Sequence, residues 1–260
     1  MRSIWSGAIS FGLIYIPIKL YTASQSNELD FDLLRRSDHC RIGYLKVCKE
    51  SGEEVPNDEI VRGFEYRKGD YVIIEDEDFQ RARSGRTKVI DIAGFVNLDE
   101  IDTKFLEKPY FLEPDKGAKQ VYGLLREALV RTNKVGLARF VMRNREHLAI
   151  IKPEEKVMVL NQMRYATEIR SPDDLDLPGQ ENLGERELDM AIKLIDQLTE
   201  PWKPEQYRDT YVDMLREIIQ QKAEGKELAP LQEEEVPTDV TDLFAKLRES
   251  LEQAQKDRSA

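Results

Sequence analysis

Residues 4–21, IWSGAISFGLIYIPIKLY, decide how the rest of the chain is read. The stretch is dense in β-branched and aromatic residues, which suit a pleated, half-buried surface. Gly7, Gly12 and Pro17 interrupt it. A glycine within a strand marks a bend or a close backbone approach, and a proline confines a strand to an edge or a bulge. The stretch therefore predicts a bent strand or a strand pair of the kind a barrel uses. Small and polar residues and Pro17 break its apolar run before the ~18 residues a membrane crossing needs, and no signal-peptide pattern is present. A cytoplasmic protein with no membrane partner is expected.

Working outward, strand-like runs recur at 41–47, Tyr66, 71–74, 89–92 and 110–112, separated by polar, turn-rich segments. Short, regular spacing of this kind predicts an antiparallel sheet or barrel. Val121, Leu124, Leu125, Ala128 and Leu129 then recur at helical spacing, with Asp115 as the expected N-cap and Asn133 and Gly136 as the terminators. Three strands, 137–143, 147–152 and 157–163, follow as a meander joined at Asn144-Arg145 and across 153–156.

Beyond Ser171 the character changes. PDDLDLPG (172–179) reads as a linker, and helical periods follow at Leu188, Ile192, Ile195 and Leu198, then at Tyr207, Tyr211, Met214, Leu215, Ile218 and Ile219. The expected division is a β-barrel region over 1–170, a helical arm over 171–225, an acidic, proline-containing linker over 226–238, and an amphipathic C-terminal helix over 239–260. The fold class is mixed α/β, mainly β, with a barrel core, a helical arm and a C-terminal helical tail.

The formal net charge of −11 argues at first against a nucleic-acid partner. Its distribution says otherwise: residues 1–170 carry 28 basic against 27 acidic residues, and 171–260 carry 11 against 23. A near-neutral body can display a local basic surface, while the acidic tail repels phosphates.

Three clusters invite a chemical reading. The acidic run Glu75, Asp76, Glu77 and Asp78 has the donors for a divalent cation, but its place after a strand and before FQRAR is that of a helix start, where acids complement the dipole. His39, Cys40 and Cys48 would be half of a zinc site, with no cluster to complete the four ligands. No metal or cofactor is expected. His147 reads as a structural or polar contact, and without a nucleophile setting, a P-loop or G-x-G-x-x-G the chain offers no catalytic constellation. The third cluster is basic: Arg81, Arg83, Arg86 and Lys88 lie close together with no acid among them, and Arg35, Arg36, Arg41 and Lys46 form a looser group. Arg139 and Arg143 are expected on one face of a strand, with Arg145 beside them. With no base-reading motif, these clusters predict binding to phosphate backbone regardless of sequence.

The opening IWSGAISFGLIYIPIKLY, the segments KVCKESGEEVPNDEIVRGFEYRKGDYVIIEDEDF (46–79) and IDIAGFVNLDEIDTKFLEKPYFLEPDK (90–116), and later LLREAL and ARFVMRNREHLAIIKP closely resemble the bacterial Ku family. The likeness covers roughly residues 1–220. It implies a barrel core with an arm, two copies of which close into a ring. On the same resemblance a bridge of strands is expected to pass over duplex DNA and grip the backbone at double-strand breaks for non-homologous end joining. On that likeness a non-catalytic, nucleoid-associated DNA-end-binding homodimer is expected. Arg81, Arg83, Arg86 and Lys88 are its first candidate DNA contacts, since 80–90 falls where the family builds its bridge; Arg35 and Arg36 are the second. The final helix resembles the element by which the family contacts an ATP-dependent DNA ligase of the ligase D type, with Val240, Leu243, Phe244, Leu247 and Leu251 as the docking stripe.

Two departures from the family matter. Relatives often carry further cysteines, one at the position of Ser51, and many carry a Lys-rich C-terminal extension where this sequence reads QAQKDRSA. Retention on DNA is expected to rest on the ring alone. The competing readings are a single-strand or RNA-binding barrel using Tyr66 and Tyr71 as stacking platforms, and a nuclease or lyase acting at ends.

Overall fold

The computed structural model describes residues 1–82, 88–143, 145–177 and 184–226. Residues 4–21 become a strand pair rather than one bent strand. β1 (Trp5–Phe11) runs antiparallel to β2 (Ile14–Thr22), from Trp5 opposite Leu20 to Phe11 opposite Ile14, around a turn in which Gly12 takes φ +59°. Gly7 serves a close approach: a Cβ there would collide with the Lys88 carbonyl oxygen and the Trp5 ring.

A long excursion follows, containing the hairpin β3 (Arg62–Arg67) and β4 (Asp70–Ile74) and the short helix α1 (Asp76–Arg81). The chain then returns as β5 (Val89–Asn97) and β6 (Leu106–Pro114), crosses α2 (Lys119–Thr132), and ends this unit with the meander β7 (Lys134–Met142), β8 (Arg145–Glu154) and β9 (Val157–Met163). Seven strands close into a barrel in the order β1-β2-β6-β9-β8-β7-β5. The closing pair is parallel, with Ala8 opposite Val89 and Ile9 opposite Ile90.

The inward positions of the strands make the core. Ile9, Ile16, Leu20, Ile90, Leu112, Ile151 and Leu160 are completely buried, each contributing about 1.5–3 kcal/mol of apolar burial. A smaller cluster lies on the outer wall, where Ile101, Phe105 and Leu106 pack against Val135, Ile150 and Met163. α2 closes one end of the barrel. The hydroxyl of Tyr122 donates to the Leu112 carbonyl at 2.7 Å and accepts from the Met158 N–H at 2.6 Å, tying the helix to β6 and β9.

Several expectations are corrected. Asp115 is not the cap of α2, which starts four residues later after Ala118; Asp115 instead opens the preceding turn and lies 3.6 Å from Lys19 Nζ. Asn133 does end the helix, in the left-handed conformation at φ 51°, but Gly136 lies inside β7 under Ile92. Residues 41–47 form no strand, only isolated bridges at Leu34–Arg41 and Val47–Glu54. β3 and β4 form a two-stranded sheet separate from the barrel. The acidic run does start a helix, with the Asp78 carboxylate accepting from the Glu75 N–H at 3.0 Å.

The described residues divide into two compact units, one of 1–26 with 30–172, the other of 27–29 with residues from 173 onward. The second holds α3 (Glu185–Leu198) and α4 (Thr210–Ala223), the latter capped by Asp209, whose carboxylate accepts from the Val212 N–H at 3.1 Å. Leu188, Ile192, Ile195 and Leu198 are exposed along α3, and Tyr207 precedes α4, stacked on Trp202 with centroids 5.1 Å apart. Among the described residues no helix is long and apolar enough to cross a membrane.

Candidate nucleic-acid interface

Strand direction sorts the barrel into two rims. α2 covers the rim where β6 and β8 end and β7 and β9 begin. At the opposite rim β1, β5, β6 and β8 begin and β2, β7 and β9 end. The excursion over 23–88 leaves β2 and returns to β5 at this same rim. Whatever the excursion binds is thus anchored at the end of the barrel that α2 leaves open.

The excursion is where most of the expected DNA contacts lie. Arg81 ends α1 within 3.5 Å of Glu77 and 3.6 Å of Asp78. Lys88 sits exposed in the turn before β5, its carbonyl accepting from the Ala8 N–H at 3.0 Å, so its position is fixed by the barrel seam. Arg35 is paired with Asp38, which raises the guanidinium pKa and, through the same contact, holds the Asp38 carboxyl below its ordinary value. Arg36 is exposed in the adjoining turn. Arg83 and Arg86 lie outside the described residues, as do Val240, Leu243, Phe244, Leu247 and Leu251. Two of the described arginines, Arg35 and Arg81, thus already have carboxylate neighbours.

Apolar residues on the excursion are uncovered. Phe31 and Phe64 are each 65 % exposed and Tyr71 is 63 % exposed, with Leu34, Tyr44, Tyr66, Val72 and Ile73 also exposed. An isolated two-stranded hairpin is marginal in water, and these side chains leave it without a covered face among the described residues.

Arg139 and Arg143 do not share a strand face. Arg139 stands on the outer wall opposite Asp91 of β5, lining a cavity of about 370 Å³ with Asp91 and Glu146, while Arg143 has left β7 and sits in the turn to β8 at φ 51°. There it joins Arg145, expected beside it, and others, Lys108 among them, that the sequence did not single out. Lys108, Arg143 and Arg145 line a cavity of about 350 Å³ at the open rim, and Tyr110, His147 and Gln162 line it as well. His147 lies opposite Phe140 in the β7–β8 ladder, their ring centroids 5.4 Å apart, and so faces the barrel interior. Burial lowers the His147 pKa and the charge of Arg145 lowers it further, against the opposing influence of a hydrogen bond to the Met142 backbone and of Glu107 and Glu168. The alternation of β8 carried the signal for His147, since Ala149 and Ile151 on the same face are core. Nothing in the sequence around Lys108 told which rim it would reach. Among the described residues no group of three or more His, Cys, Asp or Glu side chains is placed to share a metal ion.

The barrel is thus plugged by α2 at one rim and carries at the other a group of cations and a long insertion with exposed apolar residues. The family model for the Ku70/Ku80 beta-barrel domain matches residues 10–190. Among curated relatives, the Non-homologous end joining protein Ku of Opitutus terrae is 44 % identical over 256 residues, covering 97 % of this chain and 92 % of that protein. The Archaeoglobus fulgidus protein of the same name is 40 % identical over 255 residues, 97 % of this chain and 99 % of its own length. The one from Pseudomonas aeruginosa is 38 % identical over 257 residues, 96 % and 88 % of the two chains. The chain belongs to the Ku family.

Proposed function

We propose that this protein is a non-catalytic factor of double-strand break repair that binds ends of duplex DNA as a closed ring of two copies. The observation that carries the reading is the excursion over 23–88, whose apolar residues find no cover within their own unit and whose two ends are both anchored at the open rim. A second copy of the excursion is the cover that satisfies both partners at once, because a two-fold interface buries the same patch on each chain. Two such excursions joined between two barrels enclose a hole. Arg81, Arg83, Arg86 and Lys88, then Arg35 and Arg36, are assigned as its backbone contacts; phosphate contacts position a protein on DNA without reading bases. In the same reading the stripe Val240, Leu243, Phe244, Leu247 and Leu251 docks a ligase D-type ligase, since an apolar helical stripe behind an acidic tether suits a partner groove rather than phosphate.

A closed ring accepts a free terminus and has no entry for a circle. Linear duplex, relaxed circular duplex and single strand competing in one binding assay test this: linear DNA alone should be retained, and equal binding to the circle overturns the ring. Preference for the single strand would favour a stacking platform on the exposed Phe64, Tyr66 and Tyr71 instead. Removing residues 231–260 should leave end binding intact and abolish stimulation of the cognate ligase; unchanged stimulation removes the docking role.

A further inference from the structure

The open rim holds a second feature that encircling a duplex does not require. Inside the barrel the side chains are apolar from the α2 end up to Phe140 and Leu160, and then turn polar: Gln162 is only 8 % exposed and donates to Glu107 at 2.9 Å, and His147 sits beside Phe140. Above this floor stands the cavity of about 350 Å³, within the range of small-ligand sites, which β-barrels place at their mouths. Among the described residues its lining holds three cations and no carboxylate, Glu107 adjoining it through its bond to Gln162. Arg145 is matched by Glu168 at 2.8 Å, but among the described residues neither Lys108 nor Arg143 has a carboxylate within ion-pair distance. Two cations with no carboxylate partner among the described residues, flanking a semi-polar pocket, suit a dianion carried on a flat, partly polar body. A bare metal cation would be repelled by Lys108, Arg143 and Arg145.

We propose that this mouth binds a nucleotide-sized phosphate monoester. Lys108 and Arg143 take the phosphate as a point charge and a planar fork respectively, while Tyr110, His147 and Gln162 face the organic body. The ligand chemistry has two sources, a free mononucleotide or the phosphorylated terminal nucleotide of a frayed DNA strand. The inference stands on the mouth's own lining and does not depend on the ring, so each fails separately.

The test is calorimetric titration of the intact protein with adenosine monophosphate, adenosine and inorganic phosphate, beside the variants Lys108→Ala and Arg143→Asn. Asparagine tolerates the left-handed backbone of that turn, and both side chains are exposed, so the fold should persist, as a melting curve verifies. The monophosphate should bind and adenosine should not, and each variant should weaken the monophosphate roughly tenfold or more, the loss expected for one charge-assisted contact. No binding of the monophosphate, or binding undiminished in both variants, overturns the site. The source is read by repeating the comparison with overhanging duplexes ending in 5′-phosphate or 5′-hydroxyl. A preference for phosphate that vanishes in the variants assigns the mouth to strand termini, and binding confined to the free nucleotide assigns it to a metabolite.

Discussion

The barrel and the excursion draw on similar apolar residues and treat them in opposite ways. In the barrel, Ile9, Ile18, Leu20 and Leu160 are sealed by neighbouring strands and by α2; in the excursion, Phe64, Tyr66, Tyr71 and Val72 lie along a hairpin and stay open to water. The difference is topological. Every barrel strand has two hydrogen-bonded neighbours, whereas β3 and β4 have only each other. A strand pattern guarantees a surface that wants to be covered but not that the same chain supplies the cover. In the barrel the pattern makes a core, and in the excursion it leaves apolar side chains open to water.

The comparison is broken most severely from the barrel side. Leu160→Ala, at a fully buried position of β9, should lower the unfolding free energy by about 2–5 kcal/mol; a loss under half of the lower figure by chemical denaturation would mean that the barrel is loosely packed. On the excursion, Phe64→Asp with Tyr71→Asp should leave the unfolding curve of dilute protein nearly where it was. It should also reduce the mass in solution from two chains to one and remove the concentration dependence of the melting temperature. Unfolding of the variant at every concentration would show the excursion to be part of the core. Lys88→Ala combined with Arg81→Ala should leave stability within about 0.5 kcal/mol and flatten the salt dependence of duplex binding by up to roughly 0.9 per lost contact. Because Glu77 and Asp78 already neighbour Arg81, Lys88 should account for the larger share, and single variants with the reverse order would refute that.

The smallest effect concerns His147. Its pKa is lowered in the folded state, so the unfolded chain binds the proton more readily. Stability linked to this residue is complete above the unfolded value of about 6.5 and declines as pH falls from there through the folded value. A melting temperature followed downward from neutral pH should fall less in His147→Gln than in the parent; parallel curves would show that other groups govern that window.

How far the sequence could be read follows the same division. Residues 4–21 announced β structure because the alternation on either side of Gly12 is a local fact, while the choice of a strand pair over one bent strand rests on the structure, and Val121 to Leu129 announced α2 by period alone. Residues 41–47 failed because alternation does not reveal whether a partner strand is present. Asp115 failed because its carboxylate lies near Lys19 on β2, far away in the chain. Arg143 failed because the strand ended one residue early, and Lys108 was overlooked because membership of a rim depends on the register between β6 and β9, which no local pattern encodes.

The seam between β1 and β5 also bears on how the molecule comes together in time. Its parallel pairing of Ala8 with Val89 joins segments separated by the entire excursion, while β6, α2 and the meander follow one another directly. Closing a longer loop costs more entropy, and folding slows as contacts grow more distant along the chain. The meander and the first hairpin should therefore form early and the seam last. Native-state hydrogen exchange would record that order in reverse: the Ala8 amide, bonded across the seam to Lys88, should exchange sooner than the Ala149 amide in the middle of β8.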